Sequence, residues 1–100
     1  MKTYGIIGFP LTHSFSGHYF TEKFIKEGIT DCVYKTFPIH SIAEFPHLLR
    51  NNPDLVGLNV TIPHKQSVFQ YLHTATGIPP GLKACNCIKI KGGKALGYNT

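Results

Sequence analysis

Short apolar runs alternate with amphipathic stretches along the first seventy residues of the chain. Runs rich in apolar and β-branched residues predict strands at 4–9, 32–37 and 55–61. Between and after them, apolar residues recur at helical spacing within 19–25, 42–49 and 68–72, and we expect these apolar faces to point inward. The resulting order β-α-β-α-β favours parallel strands joined by right-handed crossovers.

Residues that end or cap elements support this pattern and extend it to the C-terminal third. Ser41 with Glu44 three positions later forms the sequence of a capping box, and Gly28 is a candidate helix C-cap. Gly92-Gly93 separates two alternating runs, 88–91 and 94–98, as in a two-residue β-hairpin, whereas 77–81 is predicted to be a loop. The sequence therefore predicts a three-layer α/β/α fold with a mainly parallel sheet and an antiparallel C-terminal hairpin.

Polar side chains cluster where two of the predicted strands end. His13-Ser-Phe-Ser16 follows the first apolar run, and Asn59-Val-Thr-Ile-Pro-His-Lys65 spans the end of the third strand. Ligands of open α/β sheets bind outside the carboxyl ends of the strands. Alternation along a strand also places Asn59 and Thr61 on the same face. A small-molecule site at this edge is the expectation.

Composition limits the class of protein. One hundred residues suffice for one small domain with a modest core. No apolar run approaches the roughly 18 residues of a membrane span, and the N-terminus does not resemble a signal peptide, so we expect a cytoplasmic protein that does not contact a membrane. The net charge of +5 comes from scattered lysines without an RNA-binding or zinc-finger signature, which argues against a nucleic-acid partner.

The three cysteines do not form a recognisable metal or disulfide pattern. Cys85-Asn-Cys87 lacks the two-residue gap of zinc knuckles, and Cys32 is distant in sequence. We expect buried, reduced thiols and no metal site.

Four segments together resemble the shikimate dehydrogenase family, specifically its N-terminal substrate-binding domain. They are Ile6–Pro10 with His13–Ser16, Asn59–Lys65, Ala84–Asn86, and Gly97–Thr100. The resemblance covers nearly all of the chain. It implies reduction of 3-dehydroshikimate to shikimate with NADPH, in aromatic amino-acid biosynthesis. It also implies that residues 1–100 are a fragment, since the family's NADP-binding Rossmann domain would follow them, and that the fragment alone is inactive.

The resemblance assigns roles to individual residues. Ser14 and Ser16 would bind the substrate carboxylate, although the same serines could simply cap a helix. Asn59, Thr61 and Asn86 would bind the ring hydroxyls, because amides and hydroxyls both donate and accept. Taken alone, the two asparagines are equally compatible with turn and loop stabilisation.

Lys65 is the candidate catalytic residue. An ammonium group can supply the proton that a ketone oxygen needs as it becomes an alcohol. A lone lysine after a strand is more often a surface charge, and it is the surrounding motif that favours catalysis here. In the family, an Asp that partners this lysine follows the segment Gly97–Thr100, one residue beyond the end of this chain. His64 is interpreted as structural or solvent-facing rather than catalytic.

Two alternatives stay open at this point. One is a paralogue that acts on quinate with NAD, and the other is a non-catalytic module that binds hydroxylated carboxylates. The 100 residues contain no G-x-G-x-x-G, so the dinucleotide would be bound mainly outside them. For the complete protein we expect a monomer or a homodimer.

Overall fold

A single six-stranded sheet organises the computed structural model, which describes residues 2–11 and 22–99. The strands are β1 (Lys2–Gly8), β2 (Cys32–Pro38), β3 (Leu55–Val60), β4 (Thr74–Gly77), β5 (Cys87–Lys91) and β6 (Lys94–Tyr98). They lie in the order β2-β1-β3-β5-β6-β4. β1 pairs in parallel with β2 and β3, and β4 with β6, whereas β5 is antiparallel to both of its neighbours.

The helices are short and follow the strands as predicted. Residues 22–26 form α1, Phe45–Asn51 form α2 after a 3₁₀ turn at Ile42–Glu44, and His64–Ser67 form α3, which a 3₁₀ turn at Val68–Tyr71 extends. The capping box is confirmed, because the Ala43 backbone N–H donates to Ser41 Oγ at 3.2 Å and the Ser41 N–H donates to Glu44 at 3.1 Å. No helix in the described ranges is long and apolar enough to cross a membrane.

Successive side chains of each strand alternate between the two faces of the sheet. The main core lies on one face, where Ile7, Leu58 and Ile88 pack with Phe45 and Val68 from the helical segments. The opposite face presents residues of the other parity, including Tyr4, Tyr34 and Asn59. Here α1 covers part of the sheet through Phe24, whose ring centroid lies 6.5 Å from that of Tyr4. Helices on both faces of a mixed, mainly parallel sheet confirm the predicted three-layer fold.

The C-terminal hairpin is also confirmed. Lys91 pairs with Lys94, and Gly92 and Gly93 have φ of 59° and 77°. A two-residue turn that fits the twist of the strands needs positive φ at both positions, which glycine adopts without strain.

One strand had no prediction, and one expectation was wrong. Strand β4 was not predicted, because Thr74–Gly77 carries no apolar alternation; it is held by pairing with β6 and by the His73 N–H, which donates to the Ala95 carbonyl at 2.7 Å. Ile25 was expected to face inward but is 76% exposed. Successive helical residues point about 100° apart, so Phe24 contacts the sheet while its neighbour faces away.

Candidate functional site at the carboxyl edge of the sheet

The carboxyl ends of β1 and β3 meet at one edge of the sheet. These strands are parallel neighbours, and the ladder continues beyond them: the Thr61 N–H donates to the Ile7 carbonyl at 3.0 Å, and the Phe9 N–H donates to the Ile62 carbonyl at 3.0 Å. β6 points the same way as β3, since both are antiparallel to β5. The segments that follow β1, β3 and β6 therefore leave the sheet at a common edge, which we call the carboxyl edge.

Asn59 lies one residue before the end of β3, on the face opposite the main core. Its side chain is half-buried, and Nδ2 donates to the hydroxyl of Tyr34 at 2.9 Å. The bond passes over β1, which separates the two strands. Tyr34 and Asn59 both line a cleft of about 720 Å³ on this face, whereas Thr61, Lys65 and Asn86 do not line it. The Asn59 amide, which is predicted to bind a ring hydroxyl, is therefore already hydrogen-bonded to the Tyr34 side chain.

Thr61 follows β3 and reaches its position because residue 8 is glycine. A Cβ placed on Gly8 would lie 2.3 Å from Thr61 Cγ2 and 3.0 Å from the Ile62 carbonyl oxygen. Carbon atoms cannot approach so closely, since optimal contacts between carbons are about 3.5–4.0 Å. The absence of a side chain at position 8 is what allows Thr61 to sit against β1.

Lys65 is fixed through its backbone by the residues around it. The His64 N–H donates to the Thr61 carbonyl at 3.1 Å, and Nε2 of the buried His64 ring lies 2.6 Å from the Ile39 carbonyl oxygen. The Lys65 carbonyl in turn accepts from the Cys85 N–H at 2.8 Å. His64 thus has the structural position expected of it, and the half-buried Lys65 side chain starts from an anchored backbone.

Asn86 lies between the ends of β3 and β6. Its carbonyl accepts from the Val60 N–H at 2.9 Å, and its N–H donates to the Tyr98 carbonyl at 3.1 Å. The preceding loop is held by Asn99, whose Nδ2 donates to the Ala84 carbonyl at 2.8 Å. These bonds place the half-buried Asn86 beside Thr61 and close to the Lys65 backbone.

The structure therefore brings four of the six predicted site residues together. Thr61, Lys65 and Asn86 gather at the carboxyl edge, and Asn59 precedes Thr61 on the same strand face, roughly 7 Å along the strand. Ser14 and Ser16 lie outside the described residues.

Sequence reasoning missed the residues that hold this group in place. From the sequence, Tyr34 and Gly8 were only positions within predicted strands, and Asn99 was only part of the segment Gly97–Thr100. Each acts across strands, so the register of the sheet had to be known first. The one signal available from the sequence was a tyrosine, Tyr34, at a strand position that could share a face of the sheet with Asn59.

The cysteines are thiols whose ionisation is suppressed. Cys85 is fully buried and Cys87 is half-buried, and burial raises the pKa of both thiols. Of the residues that the structure describes, no three or more His, Cys, Asp or Glu side chains form a group that could hold a metal ion.

Comparison with known proteins decides the family. A family model described as the shikimate dehydrogenase substrate binding domain matches residues 6–88, from β1 to β5. The chain belongs to this family. Asn59, Thr61, Lys65 and Asn86 all lie within the matched range.

Individual relatives agree with the match to the family model. A protein named shikimate dehydrogenase (NADP(+)) from Methanocaldococcus jannaschii is 38% identical over an alignment of 105 positions. The alignment covers 99% of this chain and 35% of that protein. The crystal structure of shikimate dehydrogenase 1 from Peptoclostridium difficile superimposes with a TM-score of 0.84 at 29% identity, over 100% of this chain and 38% of that one.

A further solved structure carries ligands. The shikimate 5-dehydrogenase of Listeria monocytogenes, in complex with shikimate and NAD, has a TM-score of 0.83 at 27% identity, over 98% of this chain and 34% of that one. The present chain thus spans about a third of the length of the relatives it matches.

Proposed function

We propose that this chain is the substrate-binding domain of an NADP-dependent shikimate dehydrogenase, which reduces 3-dehydroshikimate to shikimate. The supporting observation is the meeting of Asn59, Thr61, Lys65 and Asn86 at one edge of a sheet that matches the family model. In this proposal residues 1–100 form the shikimate-binding N-terminal domain, and a separate Rossmann domain of the enzyme binds most of the dinucleotide.

The amides and hydroxyls of the site suit a ring that carries several hydroxyl groups. Each of Asn59, Thr61 and Asn86 offers both a donor and an acceptor, as an alcohol requires. Their backbone segments are held by hydrogen bonds before a ligand binds, so the backbone does not have to be ordered on binding. Ser14 and Ser16 would donate to the substrate carboxylate.

Lys65 would hold the proton that is exchanged with the substrate oxygen. The ketone oxygen of 3-dehydroshikimate gains negative charge as it is reduced, and the Lys65 ammonium donates a proton to it; in the reverse direction the amine accepts that proton. The anchored backbone of α3 favours this role, since general acid catalysis needs the donor within hydrogen-bond reach of its acceptor.

NADPH would supply the hydride, but the two glycines of β1, Gly5 and Gly8, leave no room for its phosphates. A Cβ on Gly5 would lie 2.5 Å from the Lys35 carbonyl oxygen and 2.6 Å from the Phe37 ring. Gly8 is similarly occupied by Thr61. These glycines accommodate the protein itself, whereas glycines of a dinucleotide motif leave room for a pyrophosphate. We therefore assign NADP mainly to the remainder of the enzyme.

The proposal includes the setting of the enzyme. It would act in the cytoplasm on a small molecule, without a nucleic-acid or membrane partner, as a monomer or a homodimer. The scattered lysines support the part of this assignment that concerns nucleic acid, and the absence of a long apolar run in the sequence supports the part that concerns a membrane.

Calorimetric titration with shikimate tests the substrate assignment in the enzyme that carries this domain. Exchanging Ser14 and Ser16 together for Ala should weaken binding, because each lost hydrogen bond to a charged group costs about 1.5–3 kcal/mol. Ser67→Ala is the matched control, since the Ser67 side chain makes no capping bond and lies outside the site. Unchanged affinity in the double variant would contradict the carboxylate role.

A further inference from the structure

Tyr34 and Asn59 form a hydrogen-bonded side-chain pair, and the proposed function assigns a role only to Asn59. Tyr34 is only 8% exposed, on the face of the sheet opposite the main core. Its hydroxyl accepts from Asn59 Nδ2 at 2.9 Å across the intervening strand β1. Buried hydroxyls almost always have a hydrogen-bond partner, because removing them from water without one costs free energy.

The bond restricts an otherwise loose torsion. The terminal χ2 angle of asparagine is broad, so an amide without a partner samples many orientations. With Nδ2 directed at Tyr34, the Oδ1 end of Asn59 remains as an acceptor, and a ligand hydroxyl is a donor. The amide would then meet its ligand already oriented, and binding would not have to order it.

We propose that Tyr34 is a positioning residue that holds the Asn59 amide with Oδ1 ready to accept a hydrogen bond from a substrate hydroxyl. The inference rests on the proposed function, because it takes Asn59 to be a substrate ligand. It adds a residue on β2, two strands away in the sheet, to the determinants of substrate affinity.

A purely structural role for Tyr34 makes a different prediction. If the tyrosine served only to fill the face of the sheet, phenylalanine would replace it without consequence for the ligand. Tyr4 provides the comparison within the same chain. It pairs directly with Tyr34 in the register of β1 and β2, and its ring contacts Phe24 on the same face.

The test is a double-mutant cycle on the full chain, with shikimate as the probe and ligand affinity measured by NMR titration. Tyr34→Phe should weaken binding about two- to tenfold, the usual worth of one hydrogen bond. In an Asn59→Ala background the same change should have no further effect, because the residue through which Tyr34 acts is gone. Tyr4→Phe should bind as the unchanged chain does. In the ligand-free protein, Tyr34→Phe should also shift the side-chain amide signals of Asn59.

The outcomes separate the inference from the function on which it rests. If Asn59→Ala weakens binding while Tyr34→Phe leaves the affinity unchanged, or weakens it equally with and without Asn59, the positioning role is overturned and the proposed function stands. If Asn59→Ala binds normally, Asn59 is not a ligand and the inference falls with it. If the unchanged chain does not bind shikimate at all, the proposed function fails first.

Discussion

Lys65 is the residue on which the proposed chemistry depends most directly. If it donates the proton, Lys65→Ala should lower kcat of the enzyme that carries this domain by about 10²–10⁴, the usual contribution of acid–base catalysis. KM should change far less, because Asn59, Thr61 and Asn86 would still bind the ring. Steady-state kinetics with 3-dehydroshikimate and NADPH measure both constants.

Lys65→Arg distinguishes charge from proton transfer. Arginine keeps the positive charge but does not release a proton near neutral pH. A kcat near that of the unchanged enzyme would show that position 65 is an electrostatic anchor and not the acid.

Gly8 offers a second test at the scale of single residues. Gly8→Ala would bring a methyl group 2.3 Å from Thr61 Cγ2, so Thr61 should move and shikimate affinity should fall. Overpacking of this kind costs about 1–3 kcal/mol of stability, which urea unfolding measures. Adding Thr61→Ser removes the Cγ2 methyl and keeps the hydroxyl, so the double variant should recover part of both losses. If the double variant recovers neither stability nor affinity, the damaging contact is the one between the added Cβ and the Ile62 carbonyl oxygen, 3.0 Å away.

The sequence could point to the polar residues of the candidate site but not to the residues that support them. Asn59, Thr61 and Lys65 stand in one seven-residue segment, so their motif and parity are local properties. Tyr34 supports Asn59 from 25 positions away, and Gly8 accommodates Thr61 from a different strand. Such relations depend on register, which no single segment specifies.

Among the elements, those with local signals were predicted well. The capping box, the glycine turn of the hairpin and the strands with apolar runs each carry their cause within a few residues. β4 does not: Thr74–Gly77 is small and polar and forms a strand only because β6 supplies its partner. Tertiary pairing overrides a weak local preference in such cases.

The capping box predicts a measurable contribution to stability from the start of the 3₁₀ turn and α2. Ser41→Ala should cost about 1 kcal/mol of the free energy of unfolding, because the Ala43 N–H loses its partner. Ser67→Ala is the control, since Ser67 lies within a helical segment and makes no side-chain capping bond. Equal stability of the two variants in urea unfolding would mean that the box contributes nothing in this context.

At the scale of the whole molecule, the fold gathers the candidate site residues at the carboxyl edge and places the hairpin turn at the opposite end of the sheet. β5 runs antiparallel to β3, so Gly92 and Gly93 lie at the end of the sheet opposite the carboxyl edge. The fold class could be predicted from the order of the elements. The position of β4 as the outermost strand beside β6 could not, because it follows only from the complete strand pairing.

This separation of the two ends provides the most direct test of substrate binding by the domain. The chain labelled with ¹⁵N should be titrated with shikimate and followed by two-dimensional NMR. We expect weak binding, with backbone or side-chain signals of Asn59, Thr61, Lys65 and Asn86 shifting together, while those of Gly92 and Gly93 stay in place. Signals that do not move at millimolar shikimate, or shifts confined to the hairpin turn, would contradict the assignment of the carboxyl edge as the substrate site.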